Sequence, residues 1–192
     1  MFELSKRISS YLVRCGLPKK NEAIYTYGIE ILLNCSCTIL ILTIFALISK
    51  TVLTMYLWLF SFFILRSSIG GLHMDTNEKC IISSSLLGIS CILLLPALEA
   101  LDSIEIILFL PELLYIFIFT PFPSAKTSST SKNLYRNKAI SCILYVFLYF
   151  AGFVVSNSSS LFGRAIFLGI HISIFLSALA CMNYYFKEYL YD

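Results

Sequence analysis

Charged residues are scarce in this chain of 192 residues. Asp, Glu, Lys and Arg account for 13% of the residues, whereas hydrophobic residues account for 58%, and the mean hydropathy is +0.85. A soluble domain of this length would need more charge to cover its surface. The composition therefore excludes a soluble globular protein and predicts an integral membrane protein. The sequence has no internal repeat and no sign of a soluble second domain, so we expect one membrane-embedded domain over residues 1–192.

Histidine is scarcer still, with only His73 and His171 in the chain. A zinc site usually needs three or four ligands, and His73 has no such set near it in the sequence. The seven cysteines are odd in number and lie mostly inside apolar runs, which argues against a disulfide framework. We therefore expect no metal, no cofactor and no structural disulfide.

Long apolar runs are abundant, and they predict an all-α, polytopic membrane helix bundle. A spanning helix needs roughly 20 apolar residues, and six runs come near that length, so we expect about six transmembrane helices. The second, fourth and fifth runs are short, so four spans with re-entrant hairpins remain an alternative. The runs are Ile24–Ile48, Thr51–Leu65, Ile81–Leu98, Ile104–Phe119, Ala139–Val155 and Leu161–Met182.

The positions of Lys and Arg predict the orientation of these spans, because cytoplasmic loops retain positive charge. With the N-terminus inside and six spans, twelve of the fourteen Lys and Arg residues are cytoplasmic, and only Lys50 and Arg164 lie outside. Both termini are then cytoplasmic, and the segment that holds His73 and Cys80 lies at the cytoplasmic boundary.

Two polar segments flank or interrupt the apolar runs. Residues 1–18 carry charges throughout and have no apolar core of signal-peptide length, which indicates an interfacial amphipathic helix on the inner leaflet. Residues 121–138 are rich in Ser, Thr and Lys and predict a cytoplasmic basic loop. This loop either enforces topology and contacts anionic lipid or grips an acidic peptide.

The segment 66–80 gathers a histidine, a cysteine and a glycine pair between two apolar runs. Imidazole can hold a cysteine as thiolate and return a proton to a leaving amine, so His73 and Cys80 are the minimum apparatus of a cysteine nucleophile. Asp75 and Glu78 have the spacing of a capping box, which would place Cys80 near a helix N-terminus. Spacing alone does not establish this chemistry, because a lone His–Cys pair in a membrane protein is more often incidental than functional.

These residues resemble the signature of a known family. Arg66, Gly70-Gly71-x-His73 and Cys80 are similar to the motif of the accessory gene regulator B (AgrB) family, and Tyr27-Gly28-Ile29-Glu30 is similar to a second family segment. The family consists of membrane cysteine endopeptidases that process quorum-sensing propeptides in the bacterial plasma membrane. The resemblance implies an AgrD-like propeptide substrate, contact with membrane lipid and a homodimer, and no nucleic-acid partner.

The resemblance also implies roles for individual residues. Cys80 is the expected nucleophile and His73 its base, while Arg66, Gly70, Gly71 and Glu30 are candidates for substrate or oxyanion support. In an unbroken helix His73 and Cys80 would be roughly 10 Å apart along the axis, beyond hydrogen-bond reach. We therefore expect residues 66–80 to form a catalytic loop that folds back.

Two other functions fit part of the sequence. A proton- or cation-coupled small membrane transporter would use buried Glu30, Glu112 and His171 as its carriers. It predicts that Cys80→Ala keeps function. A sensor or assembly partner without chemistry predicts that neither His73 nor Cys80 matters. In the peptidase interpretation, His171 is a hydrogen-bonded packing residue. The candidate roles of Glu30 and Glu112 are to orient His73, to pair with Arg66 or to contact the peptide.

The predicted topology is tested by labelling single cysteines in a background without the native ones. Probes at Asn77 and Ser128 should react from the cytoplasmic side, and probes at Asp102 and Ser158 from outside. Labelling of Ser128 from outside would overturn the orientation, whereas protection of both outer probes would favour the re-entrant version.

Overall fold

The computed structural model describes residues 2–70, 76–101, 105–120 and 131–191. In these ranges the chain forms seven α-helices and no strand, so the predicted all-α class is confirmed. Short 3-10 segments at Lys19–Asn21 and Leu95–Leu101 adjoin the second and fourth helices. The helices are α1 Phe2–Arg14, α2 Glu22–Ser49, α3 Val52–Ile69, α4 Asn77–Leu94, α5 Glu105–Phe119, α6 Ser131–Ser158 and α7 Ser160–Tyr191.

Five helical stretches of the described chain are long and apolar enough to cross a membrane, which makes this a multi-pass membrane protein. The helix predicted over 104–119 is the exception among the six apolar runs. As described, α5 has 15 residues, or about 22 Å, and is shorter than the roughly 30 Å hydrocarbon layer. The five stretches are Lys19–Ser49, Val52–Ile69, Asn77–Leu98, Tyr135–Ser158 and Ser160–Asn183.

Two predicted loops are wrong at their edges. The basic loop was predicted over 121–138, but residues 131–138 are helical, because α6 begins at Ser131. The catalytic loop predicted over 66–80 is helical at both ends, because α3 continues to Ile69 and α4 begins at Asn77. Hydropathy follows only the apolar part of a helix, so it cannot detect helical turns that continue into polar sequence.

The helices group into two compact units, the first of which contains α1, α2 and α4 up to Ile89. Here α1 packs on α2 through its serines: Ser5 and Ser9 are fully buried, and the Ser9 hydroxyl lies 2.7 Å from that of Thr26. The Ser10 hydroxyl donates to a Glu22 carboxylate oxygen at 2.7 Å. The large apolar residues of α1 stay exposed, which leaves them available to lipid: Phe2, Leu4, Ile8 and Tyr11. The amphipathic helix is confirmed, and its place on the inner leaflet stays a prediction.

The second unit contains α3, α5, α6, α7 and the end of α4. Its core is a continuous set of buried apolar side chains from α3, α5, α6 and α7, centred on Leu65, Ile116, Tyr145 and Ile170. The α3 and α7 backbones come close at Gly169, where an added Cβ would lie 2.1 Å from the Ser61 hydroxyl oxygen and 2.8 Å from the Trp58 carbonyl oxygen. Small residues allow this kind of approach between membrane helices.

The close approach predicts that Gly169→Ala destabilises the protein by about 1–3 kcal/mol, because the backbone carbonyl of Trp58 cannot move aside as a flexible side chain can. Gly28→Ala is the matched control, since a Cβ at Gly28 has nothing within 4 Å. The measurement is the stability of each detergent-solubilised variant to unfolding by heat or SDS. Equal stability of the two variants would contradict the packing described for α3 and α7.

Candidate active site

The candidate nucleophile lies in the first turn and a half of α4. Thr76 caps the helix, because its hydroxyl oxygen accepts a hydrogen bond from the backbone N–H of Lys79 at 3.4 Å. Asp75, for which the capping box was predicted, lies outside the described residues. Cys80 is the fourth residue of α4, and the predicted position near a helix N-terminus is confirmed.

The surroundings of Cys80 limit how much the helix can activate it. Its own backbone N–H donates to the carbonyl oxygen of Thr76 at 3.1 Å, so this N–H is not one of the unpaired amides at the helix start. The helix dipole acts mainly within the first turn, and Cys80 lies at its limit. The thiol is free and partly exposed, as a nucleophile requires, and most of its activation must come from a separate base.

A polar chain joins α2 to the start of α4 within the first unit. Asn77 donates from Nδ2 to Oε1 of Glu30. Asn34 donates from Nδ2 to Oδ1 of Asn77 at 2.8 Å. All three side chains are partly buried, and Glu30 and Asn34 are four residues apart, so they share one face of α2. These hydrogen bonds attach α2 to the helix that holds Cys80.

Arg66 and Gly70 lie at the end of α3 in the second unit. The guanidinium of Arg66 stands over the ring of Phe62, 5.5 Å from its centroid, which is a cation–π distance. Its charge in the last turn also complements the helix dipole. Gly70 has a φ of +80° and donates its N–H to the Arg66 carbonyl oxygen at 3.0 Å. Gly70 therefore ends α3, a role that glycine fills because it lacks a Cβ.

Only some of the predicted site residues lie within the described part of the chain. Gly71 and His73 lie outside the described residues, so the distance between the imidazole and the thiol and the fold-back of the chain stay predictions. Glu30 lies in the same unit as Cys80 and contacts Asn77. Glu112, for which contacts with His73, Arg66 or the peptide were considered, has its described contacts elsewhere.

Those contacts form a second polar cluster, within the second unit. One carboxylate oxygen of Glu112 lies 2.7 Å from Nδ1 of His171, and the other lies 3.1 Å from the Tyr145 hydroxyl. The same hydroxyl donates to the Phe109 carbonyl oxygen at 3.0 Å. His171 is thus hydrogen-bonded, as its interpretation as a packing residue requires. In the described ranges, no group of three or more His, Cys, Asp and Glu side chains is placed to hold a metal ion.

Three polar residues of these clusters were not predicted from the sequence. Asn34 is an amide inside the apolar run of the first span, which is a signal that hydropathy alone does not use. Asn77 lies three residues before Cys80 and was named only as a position for a labelling probe. Tyr145 was hidden among the aromatic residues of its run.

Comparison with known proteins decides the family. The family model Accessory gene regulator B matches residues 5–177. The chain belongs to the AgrB family. No curated protein and no solved structure matches it. As an AgrB-family protein with five candidate spans, it is a multi-pass membrane protein of the accessory gene regulator quorum-sensing system. The AgrB family processes quorum-sensing propeptides, which implies an AgrD-type propeptide as the substrate.

Proposed function

We propose that this AgrB-family protein is a membrane cysteine endopeptidase that removes the C-terminal tail of an AgrD-type propeptide. The observation that carries the proposal is Cys80 itself: a free, partly exposed thiol at a capped helix start, within the matched residues 5–177. The other cysteines lie inside α2, α4, α6 and α7, except for Cys15 near the N-terminus.

The chemistry takes two steps, each with the proton accounted for. His73 removes the Cys80 proton, and the thiolate attacks the carbonyl carbon of the peptide bond before the tail. The C–N bond breaks as His73 gives its proton to the leaving amine, which leaves an acyl-thioester on Cys80. Glu30 and Arg66 are not needed for this proton count and serve as support.

The second step forms the ring. A cysteine of the bound peptide attacks the thioester carbonyl through its sulfur, His73 takes the proton of that thiol, and Cys80 leaves as thiolate. The product is a thiolactone, and no water is consumed. A site at the membrane boundary that excludes water favours this exchange over hydrolysis.

We propose that the active site faces the cytoplasm and that the protein works as a homodimer.

Transport is the second candidate function, and the partly buried Glu112–His171 contact is the observation that favours it. Ionisable residues within membrane helices often mark ion or proton pathways. The contact supplies one carrier site. Transport assigns no role to the thiol of Cys80, so the two functions differ in what they require of that residue.

The peptidase proposal predicts that Cys80→Ala and His73→Ala each abolish propeptide cleavage without changing membrane insertion, because nucleophile and base act as a unit. Cys80→Ser should be nearly inactive as well. Cys15→Ala, which removes an exposed cysteine, is the matched control and should cleave normally. The assay is mass spectrometry of membranes from cells that co-express the protein and the propeptide. Normal cleavage by Cys80→Ala would exclude this function.

A further inference from the structure

We propose that Glu30, Asn34 and Asn77 form a positioning cluster that holds the first turn of α4 on α2 and thereby orients Cys80. The inference rests on the proposed function in one respect, that Cys80 is the nucleophile. None of the three residues is assigned to the reacting atoms. They act through the place and rotation of α4.

The contacts of the cluster are long-range in the chain. Asn77 is 47 residues from Glu30 and 43 residues from Asn34 along the sequence. A hydrogen bond across such a separation forms only when the tertiary structure is in place. It therefore reports, and helps to fix, how α4 docks on α2 within the first unit.

The chemistry of the carboxylate sets the direction of the whole chain of hydrogen bonds. An ionised carboxylate can only accept, so Asn77 must present its NH₂ group to Glu30. The carbonyl oxygen of Asn77 then faces Asn34, which must present its own NH₂ group in turn. Glu30 thus fixes the orientation of both amides. A hydrogen bond to an ionised acceptor is also stronger than one between neutral groups.

The restraint on Asn77 also restrains the nucleophile, because both residues belong to α4. Asn77 and Cys80 are three residues apart on α4, and residues at that spacing lie on the same face of a helix. A side chain held at Asn77 restrains rotation of α4 about its axis. The direction in which the Cys80 thiol leaves the helix is restrained with it. A nucleophile needs such restraint, because small misplacements lower the rate strongly.

The cluster also explains why a carboxylate can lie in the first span. An unpaired carboxylate in lipid is costly, and buried ionisable residues pair with polar partners. Glu30 finds that partner in the amide of Asn77. A carboxylate would repel a developing oxyanion, so positioning is the role that its chemistry supports.

The direction of the hydrogen bonds gives a charge-swap test. Asn77→Asp sets two carboxylates against each other, while Glu30→Gln can still accept through its amide oxygen. The double variant with Glu30→Gln and Asn77→Asp lets the new Gln donate to the new Asp, which still accepts from Asn34. Asp is also favourable in the first turn of a helix. A loss in Asn77→Asp therefore comes from repulsion and not from a weakened helix start.

Two readouts are measured on the full-length protein in membrane vesicles, with Cys80 as the single cysteine. The first is the kcat of propeptide cleavage, and the second is the rate of Cys80 alkylation by iodoacetamide without propeptide. We expect Asn77→Asp to lower both by about tenfold, the loss of one charge-assisted contact. The double variant should recover both readouts to within about threefold of the parent, with KM little changed. Glu30→Gln alone should fall between Asn77→Asp and the parent, because its neutral amide oxygen accepts more weakly than the carboxylate.

The outcomes separate positioning from folding and from catalysis. Rescue of both readouts in the double variant supports the proposal. Faster alkylation in Asn77→Asp means that unfolding has exposed the thiol, and this result overturns the proposal. Parental activity of Asn77→Asp also overturns it. So does a double variant that is no more active than Asn77→Asp. Lost and rescued cleavage with unchanged alkylation also overturns it. Alkylation needs no substrate, so it tests the cluster even if Cys80→Ala retains cleavage and the peptidase assignment fails.

Discussion

The absence of water in the hydrocarbon layer is the constraint on which this structure depends. A backbone N–H or carbonyl that meets lipid without a partner costs several kcal/mol, so every apolar run of the described chain folds as a helix. The same rule applies to side chains. Glu30 is bound by Asn77 in one unit, and Glu112 contacts His171 and Tyr145 in the other. Polar pairing across helices thus accompanies the apolar packing that defines the fold.

The candidate site follows from where helices begin and end. Gly70 ends α3 and Thr76 caps α4, so the polar segment of the family motif connects two helix termini. Cys80 is held by the regular backbone of α4, while the expected base, His73, lies in the connection.

Much of this could be predicted from sequence, because hydropathy and the family motif are both local signals. Apolar runs predicted the five candidate spans and also a sixth over 104–119, where α5 is too short to qualify. The spacing of Arg66, Gly70-Gly71, His73 and Cys80 predicted the family that residues 5–177 match. The start of α6 at Ser131 was missed because its first turns are polar. A loop and a helix of the same composition differ in ways that a hydropathy plot does not detect.

Contacts between distant residues were beyond sequence reasoning. Glu30 was identified as a buried acid, but its partner Asn77 is 47 residues away. Glu112 and His171 were both singled out, but they are 59 residues apart in the sequence, and their contact was not predicted. A single sequence contains no pairing information at that range, and helix propensity contains none either. The candidate roles of these acids therefore stayed open until the helices were placed.

The proposed reaction requires Cys80 to form a covalent acyl-thioester, and this intermediate can be trapped. A propeptide in which the ring-forming cysteine is replaced by alanine cannot complete the exchange, so the intermediate should accumulate. Intact-mass analysis after an acid quench should find the peptide, without its tail, attached to Cys80 and released by hydroxylamine. Release of the tail with no adduct on Cys80, or an adduct on another residue, would contradict the account.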